Sequence, residues 1–312
     1  MPATKRAQAG SHPAAAWPGI AALLACATLW SLNGPLIKIL NQEGVGLPAL
    51  TIAFYRSLLA GLAFLPFAWP RAGQLRRVPP VWPIGSVLAF TLMTAAFIAA
   101  TTRTAAANAI LLQYTSPVWV FLLSPILLRE RPRPGEGLAL TVAMAGVAIL
   151  IAGSPRSDLA GVVLALASGF GYGALTIALR GLRPVDPAVA VGLNCLGSAL
   201  LLAPAALLAG PLRVSSAELG WLLFMSLVQL ALPYVLFSWA LQRVEASQAA
   251  LIVLLETILN PLWTYLAVGE RIPPATQLGG PLILAGVAGR ILVGRRTAHT
   301  GAASSQGGAA PQ

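Results

Sequence analysis

Ten apolar stretches of about 20 residues run along the chain, at 18–40, 48–70, 80–101, 105–128, 136–153, 159–180, 187–209, 218–240, 246–268 and 275–294. That length covers the roughly 30 Å of hydrocarbon in a bilayer, so each stretch predicts a membrane-spanning helix. The breaks between them carry turn chemistry and charge, as at Arg71 to Pro80, Arg129 to Gly137 and Ser154 to Asp158. None is long and polar enough for a soluble domain. The first stretch is too long for a signal-peptide core and contains Asn33, Pro35 and Lys38, so it reads as retained. The ends, 1–17 and 295–312, are rich in Ala, Gly, Ser, Pro and Gln and are expected to be disordered cytoplasmic tails.

The pattern is written twice. Ala106, Ala109, Leu111, Leu122, Pro134, Leu138 and Gly146 recur 140 residues later as Ala246, Ala249, Leu251, Leu262, Pro274, Leu278 and Gly286. The same offset joins Phe97 to Phe237 and Arg103 to Arg243, and it slips to 139 near Pro48 and Pro187. Residues 18–153 and 159–294 are therefore two copies of one five-helix unit. An odd number of spans makes the second copy cross in the opposite sense. The fold class expected is an all-α integral membrane protein of ten helices in two inverted repeats, an arrangement that closes around a site at the repeat interface.

Composition and charge agree with a membrane chain. Apolar residues make up 57% of the 312 and charged residues 9%, against roughly 25% charged in soluble domains. With the N-terminus in the cytoplasm, thirteen Lys and Arg residues fall in inside loops and tails, and only Arg103, Arg156, Arg213 and Arg271 fall outside. This bias puts both termini inside. The net charge of +11 is thus mainly a topology signal, spread over short loops instead of gathered into a nucleic-acid face. Cys26 and Cys195 sit within apolar spans as small packing residues. His12 and His299 lie in the tails, which leaves no histidine for a metal or acid–base site in the membrane.

Glu256 is the one acidic residue deep within a span. An intramembrane carboxylate costs about 2.5–3.5 kcal/mol on insertion scales and marks a functional candidate. Gln248, Glu256, Asn260 and Thr264 form one helix stripe, whose repeat counterparts are Asn108, Ser116, Val120 and Ser124. Two readings stand: Glu256 contacts substrate or protons, or it is hydrogen-bonded glue between helices. Arg56 could neutralise Glu256, bind an anionic group, or tie backbone carbonyls. Lys38 can snorkel to the interface or act at a cavity mouth. Trp30, Asn33, Gln113, Tyr114, Tyr172, Tyr234 and Trp239, with Arg56, Glu256 and Asn260, make up the candidate substrate-binding set. Gln113 and Tyr114 precede Pro117, whose missing N–H frees a backbone carbonyl for a ligand or a kink. Gly169 with Gly173, and Ala53 with Ser57 and Gly61, are small-residue packing stripes.

Several motifs together carry a resemblance: Leu29-Trp30-Ser31, Phe54-Tyr55-Arg56, Gly269-Glu270-Arg271 with its first-copy form Arg129-Glu130-Arg131, and the Ala-Gly-Val pairs at 145–147 and 285–287. Over roughly 18–294 the chain resembles the EamA-type members of the drug/metabolite transporter superfamily. The resemblance implies a secondary transporter of the inner membrane, often an exporter, and is silent on substrate. The four-helix multidrug relatives couple efflux to a glutamate in their first helix. That span has no acidic residue here, so their proton exchange does not carry over by position.

The function expected is movement of a small amino-acid-like or amphipathic metabolite by alternating access. Protons are a candidate coupling ion, no cofactor is expected, and a monomer suffices. The alternative is a non-transport membrane protein, an enzyme or assembly partner, on the same scaffold. An enzyme would need a His cluster, an acid pair or a phosphate-binding loop, and the chain has none.

Overall fold

The computed structural model describes residues 13–42, 46–128, 135–210 and 212–306. Arg129-Glu130-Arg131 lies outside them. Ten membrane helices follow in order: α1 (Trp17–Asn41), α2 (Ala49–Ala68), α3 (Val81–Thr101), α4 (Ala106–Leu127), α5 (Glu136–Ala152), α6 (Leu159–Gly181), α7 (Pro187–Ala209), α8 (Ser216–Ala240), α9 (Gln248–Val268) and α10 (Pro274–Gln306). Nine of the described helices are long and apolar enough to cross a membrane, and α5 is a shorter apolar helix of 17 residues. The expected tail needs one correction. Residues 295–306, expected to be disordered, continue α10, which runs unbroken from Pro274 to Gln306. Positions 1–12 and 307–312 lie outside the described residues.

The most extensive helix contacts join one repeat to the other. The helix α5 packs along α10, α2 along α7, and α3 along α6, while α1 is held by α8 and α9. Small residues allow this closeness. Ser57 faces Ser198 across α2 and α7, and a side chain at Gly61 would run into Leu196. Cys26 donates its S–H to the Pro233 carbonyl at 3.3 Å, tying α1 to α8; both cysteines are free and buried.

Three helices are interrupted near mid-membrane. In α1 the break is at Leu32, where Pro35 lacks the N–H that would bond the Ser31 carbonyl. In α4 the first half ends at Gln113, four residues before Pro117 and for the same reason. In α9 the first half ends at Val253 and the second is Glu256–Val268, with no proline between them. There the Thr257 N–H bonds the Leu254 carbonyl at 3.0 Å, and its hydroxyl donates to the same oxygen at 2.7 Å. A threonine hydroxyl that competes for a helix carbonyl loosens the turn. Within α8, Phe224–Ala231 is a π-helical stretch just ahead of Pro233, with the Leu232 N–H reaching back to Leu227.

Candidate substrate cavity between the repeats

The broken helices meet at the middle of the bundle. Tyr114, at the α4 break, donates its hydroxyl to Glu256 Oε2 at 2.9 Å, and Glu256 begins the second half of α9. The Tyr114 oxygen also stands 3.5 Å from the Val253 carbonyl at the α9 break. Half-helix N-termini favour negative charge, so the backbone at Glu256 suits a carboxylate. Close packing of α6 sets the other side of this crossing. Side chains at Gly169 and Gly173 would collide with Thr115 and with the Ser116 carbonyl, so only glycines let α6 lie against the interrupted part of α4. The two glycines predicted as a packing motif therefore pack on the α4 break itself.

Around this crossing lies a cavity of about 590 Å³. Its apolar wall is aromatic. Trp30 meets Tyr234 edge-on with centroids 5.6 Å apart and tilts against Phe237 at 5.6 Å, and Tyr114 meets Tyr172 edge-on at 6.5 Å. Its polar groups are few and buried. Gln229 donates to the Trp30 carbonyl at 3.1 Å, and Gln113 donates to Ser168, which passes the bond to the Met93 carbonyl. Arg56 is 6% exposed and Glu256 9%. Among the described residues, Arg56 Nε, Asn33 Oδ1 and Gln229 Oε1 have no hydrogen-bond partner. Buried polar atoms left unpaired are costly, at about 1–3 kcal/mol each, unless a bound molecule satisfies them.

Eight of the ten candidate residues line the cavity: Trp30, Asn33, Arg56, Gln113, Tyr114, Tyr172, Tyr234 and Glu256. Two do not. Asn260 is fully buried against Gly34, where the absent side chain lets α9 close on α1 and end the cavity one turn beyond Glu256. The polar stripe continues along α9, but the space beside it does not. Trp239 lies outside, 39% exposed, with the Arg243 guanidinium 3.7 Å above its ring. Residues not predicted also line the cavity: Met93, Thr94 and Phe97 of α3, Leu175 and Thr176 of α6, and Arg180, Arg183 and Arg290 at the mouth. The repeat offset held a signal for the first group. Thr94 and Phe97 are the counterparts of Tyr234 and Phe237, and Gln113, Tyr114 and Ser116 are those of Val253, Leu254 and Glu256. All ten line the cavity.

At the opposite end of the bundle, polar contacts tie the helices together. Lys38 does not snorkel; its Nζ pairs with Glu270 Oε2 at 2.6 Å and donates to the Thr104 carbonyl at 3.0 Å. Glu270 Oε1 accepts the Ala106 N–H at 2.7 Å. A second chain of bonds runs beside it: Thr276 donates to Asn108, Asn108 to Thr104 at 3.0 Å, and Thr104 to Asp158 at 3.2 Å.

A multi-helix membrane bundle with inverted halves around a cavity reached from one end is the architecture of a membrane transporter. The sequence comparisons give the family. The chain belongs to the EamA-like transporter family, whose model matches it twice, at residues 17–152 and 159–291. It is 32% identical to an uncharacterized transporter of Archaeoglobus fulgidus, over 78% of this chain and 87% of the relative. It is 26% identical to the uncharacterized transporter YwfM of Bacillus subtilis, over 85% and 90%. A solved structure titled only as the crystal structure of a protein shares the fold with a TM-score of 0.59 and 22% identity, covering 91% of this chain and 97% of that one.

Proposed function

We propose that this transporter carries a small amino-acid-like or amphipathic compound across the inner membrane as an exporter, by alternating access, with Glu256 in the site. The observation that carries the reading is the lining of the cavity by repeat counterparts around the Tyr114–Glu256 bond. An ammonium group of the substrate pairs with Glu256 and a carboxylate with Arg56, while the rings of Trp30, Tyr172 and Tyr234 take the apolar part. The unpaired oxygens of Asn33 and Gln229 are further acceptors for the ammonium. In this reading the cavity loads from the cytoplasm, as an exporter's must. Its mouth carries Arg180, Arg183 and Arg290, and the basic end is the cytoplasmic one by the charge bias of the loops. Protons are the coupling ion in this reading, because a buried carboxylate can alternate between holding a proton and holding a cationic group.

A thermal-shift screen of purified protein against amino acids, amines, nucleosides and sugars, followed by proteoliposome flux of the hits, tests the proposal. A ligand at a hundred times its dissociation constant stabilises by about 2.7 kcal/mol. Stabilisation by an amphipathic zwitterion or amine, lost in Glu256→Gln, is the expected result. Hits that stabilise wild type and Glu256→Gln equally would remove Glu256 from the site.

A further inference from the structure

We infer that the Lys38–Glu270 ion pair is the latch of the gate at the end of the bundle opposite the cavity mouth, and that it must part for that end to open. The inference takes its purpose from the alternating-access reading above, but its geometry and its test need no substrate.

The two partners come from segments that have to separate. Lys38 is near the end of α1, beyond the Leu32 break, in the half-helix Asn33–Asn41 that packs on α9. Glu270 follows α9 directly. Gly269 adopts φ 71°, a left-handed turn that ends the helix and carries Glu270 back over the bundle. From there one carboxylate holds two elements of the first repeat. One oxygen pairs with Lys38, and the other accepts the N–H of Ala106, an orphan donor in the first turn of α4. Lys38 in turn holds the Thr104 carbonyl in the α3–α4 connection. A single ion pair therefore fastens α1, the start of α4 and the end of α9, three of the helices that line the cavity below.

The repeat gives a second, independent argument. Lys38 corresponds to Ala178, Thr104 to Val244, and Thr276 to Glu136. The cavity-mouth end thus has no lysine at the matching position and cannot be shut by the same pair. The two gates are chemically different although their helices are related by symmetry. The pair sits at the end of the bundle opposite the one where Arg180, Arg183 and Arg290 line the cavity. The side chains of Lys38 and Glu270 are 19% and 22% exposed, screened enough from water to bind and near enough to it to be released.

Spin labels at Arg103→Cys and Ile272→Cys, in a Cys26→Ala/Cys195→Ala background in nanodiscs, report the distance between the α3–α4 and α9–α10 connections by electron–electron double resonance. The parent should give a predominantly short distance. Lys38→Met, which keeps side-chain length without charge, and Glu270→Gln should each raise the long-distance population several-fold, while Lys38→Arg leaves it near the parent. Distributions unchanged in both Lys38→Met and Glu270→Gln would overturn the latch. If either variant does not purify as a folded monodisperse species, the parent is measured from low to 1 M salt, where screening shortens to about 3 Å. A rising long-distance fraction then supports the latch and a flat one overturns it. Because no ligand is used, failure of the latch and failure of the substrate proposal read out separately.

Discussion

The fourth helix of each repeat breaks at the same place for different reasons. In α4 the cause is Pro117, which has no N–H to offer the Gln113 carbonyl. Its counterpart in α9 is Thr257, which turns its N–H and its hydroxyl to Leu254 instead. The side chains at the break differ as well: Tyr114 and Ser116 in one copy, Leu254 and Glu256 in the other. Duplication has kept the interrupted backbone and divided the chemistry. One copy supplies a phenol, the other a carboxylate, and the two meet at 2.9 Å where the helices cross.

That division can be broken in graded steps. The largest effect is expected for Glu256→Ala, which removes the carboxylate and strands the Tyr114 hydroxyl. Substrate affinity should fall by roughly 10- to 100-fold, the span of hydrogen bonds to charged groups, measured by titration against any ligand from the stabilisation screen. A loss under threefold would place the carboxylate outside the site. Glu256→Gln tests the charge alone. In wild type a cationic substrate binds more tightly as pH rises and the carboxylate loses its proton; the weak residual binding of the variant should show no such slope, and a retained slope would assign the titration to another group.

Tyr114→Phe should cost about tenfold in affinity, within the roughly 0.5–1.5 kcal/mol net of a typical hydrogen bond, with the fold intact by circular dichroism. Moving the carboxylate between copies sharpens the comparison further. Ser116→Glu combined with Glu256→Ser should recover part of the binding that Glu256→Ser alone loses, and no recovery would mean that the two half-helices are not interchangeable around the cavity. The smallest effect belongs to Trp239→Ala, outside the cavity wall, where affinity should stay within about twofold.

The spans, the duplication and the α4 break are legible from the sequence because each rests on local pattern: run length, a fixed offset, a proline. The α9 break is not, since a threonine is compatible with an unbroken helix and only the bonds it makes reveal the interruption. Asn260 shows the other limit. Its helical phase relative to Glu256 is right, but how far the cavity extends along α9 depends on Gly34 of α1, distant in sequence. Trp239 shares α8 with Tyr234, yet it lies at the exposed end of the helix. Arg180 and Arg183 read in the sequence only as loop charges and Arg290 falls inside the last span, so their meeting at one cavity needs the fold.

The pairing of α5 with α10, α2 with α7 and α3 with α6 has a consequence for biogenesis. Each of these contacts waits for a helix that has not yet been synthesised when the first five are in the membrane. At roughly 5–20 residues per second, the nascent first repeat spends on the order of ten seconds without its principal partners, with glycine and serine faces that lipid must cover. Folding is thereby bound to the second half of translation. The two halves, expressed as separate polypeptides cut between Ser154 and Asp158, should be degraded alone and accumulate only together.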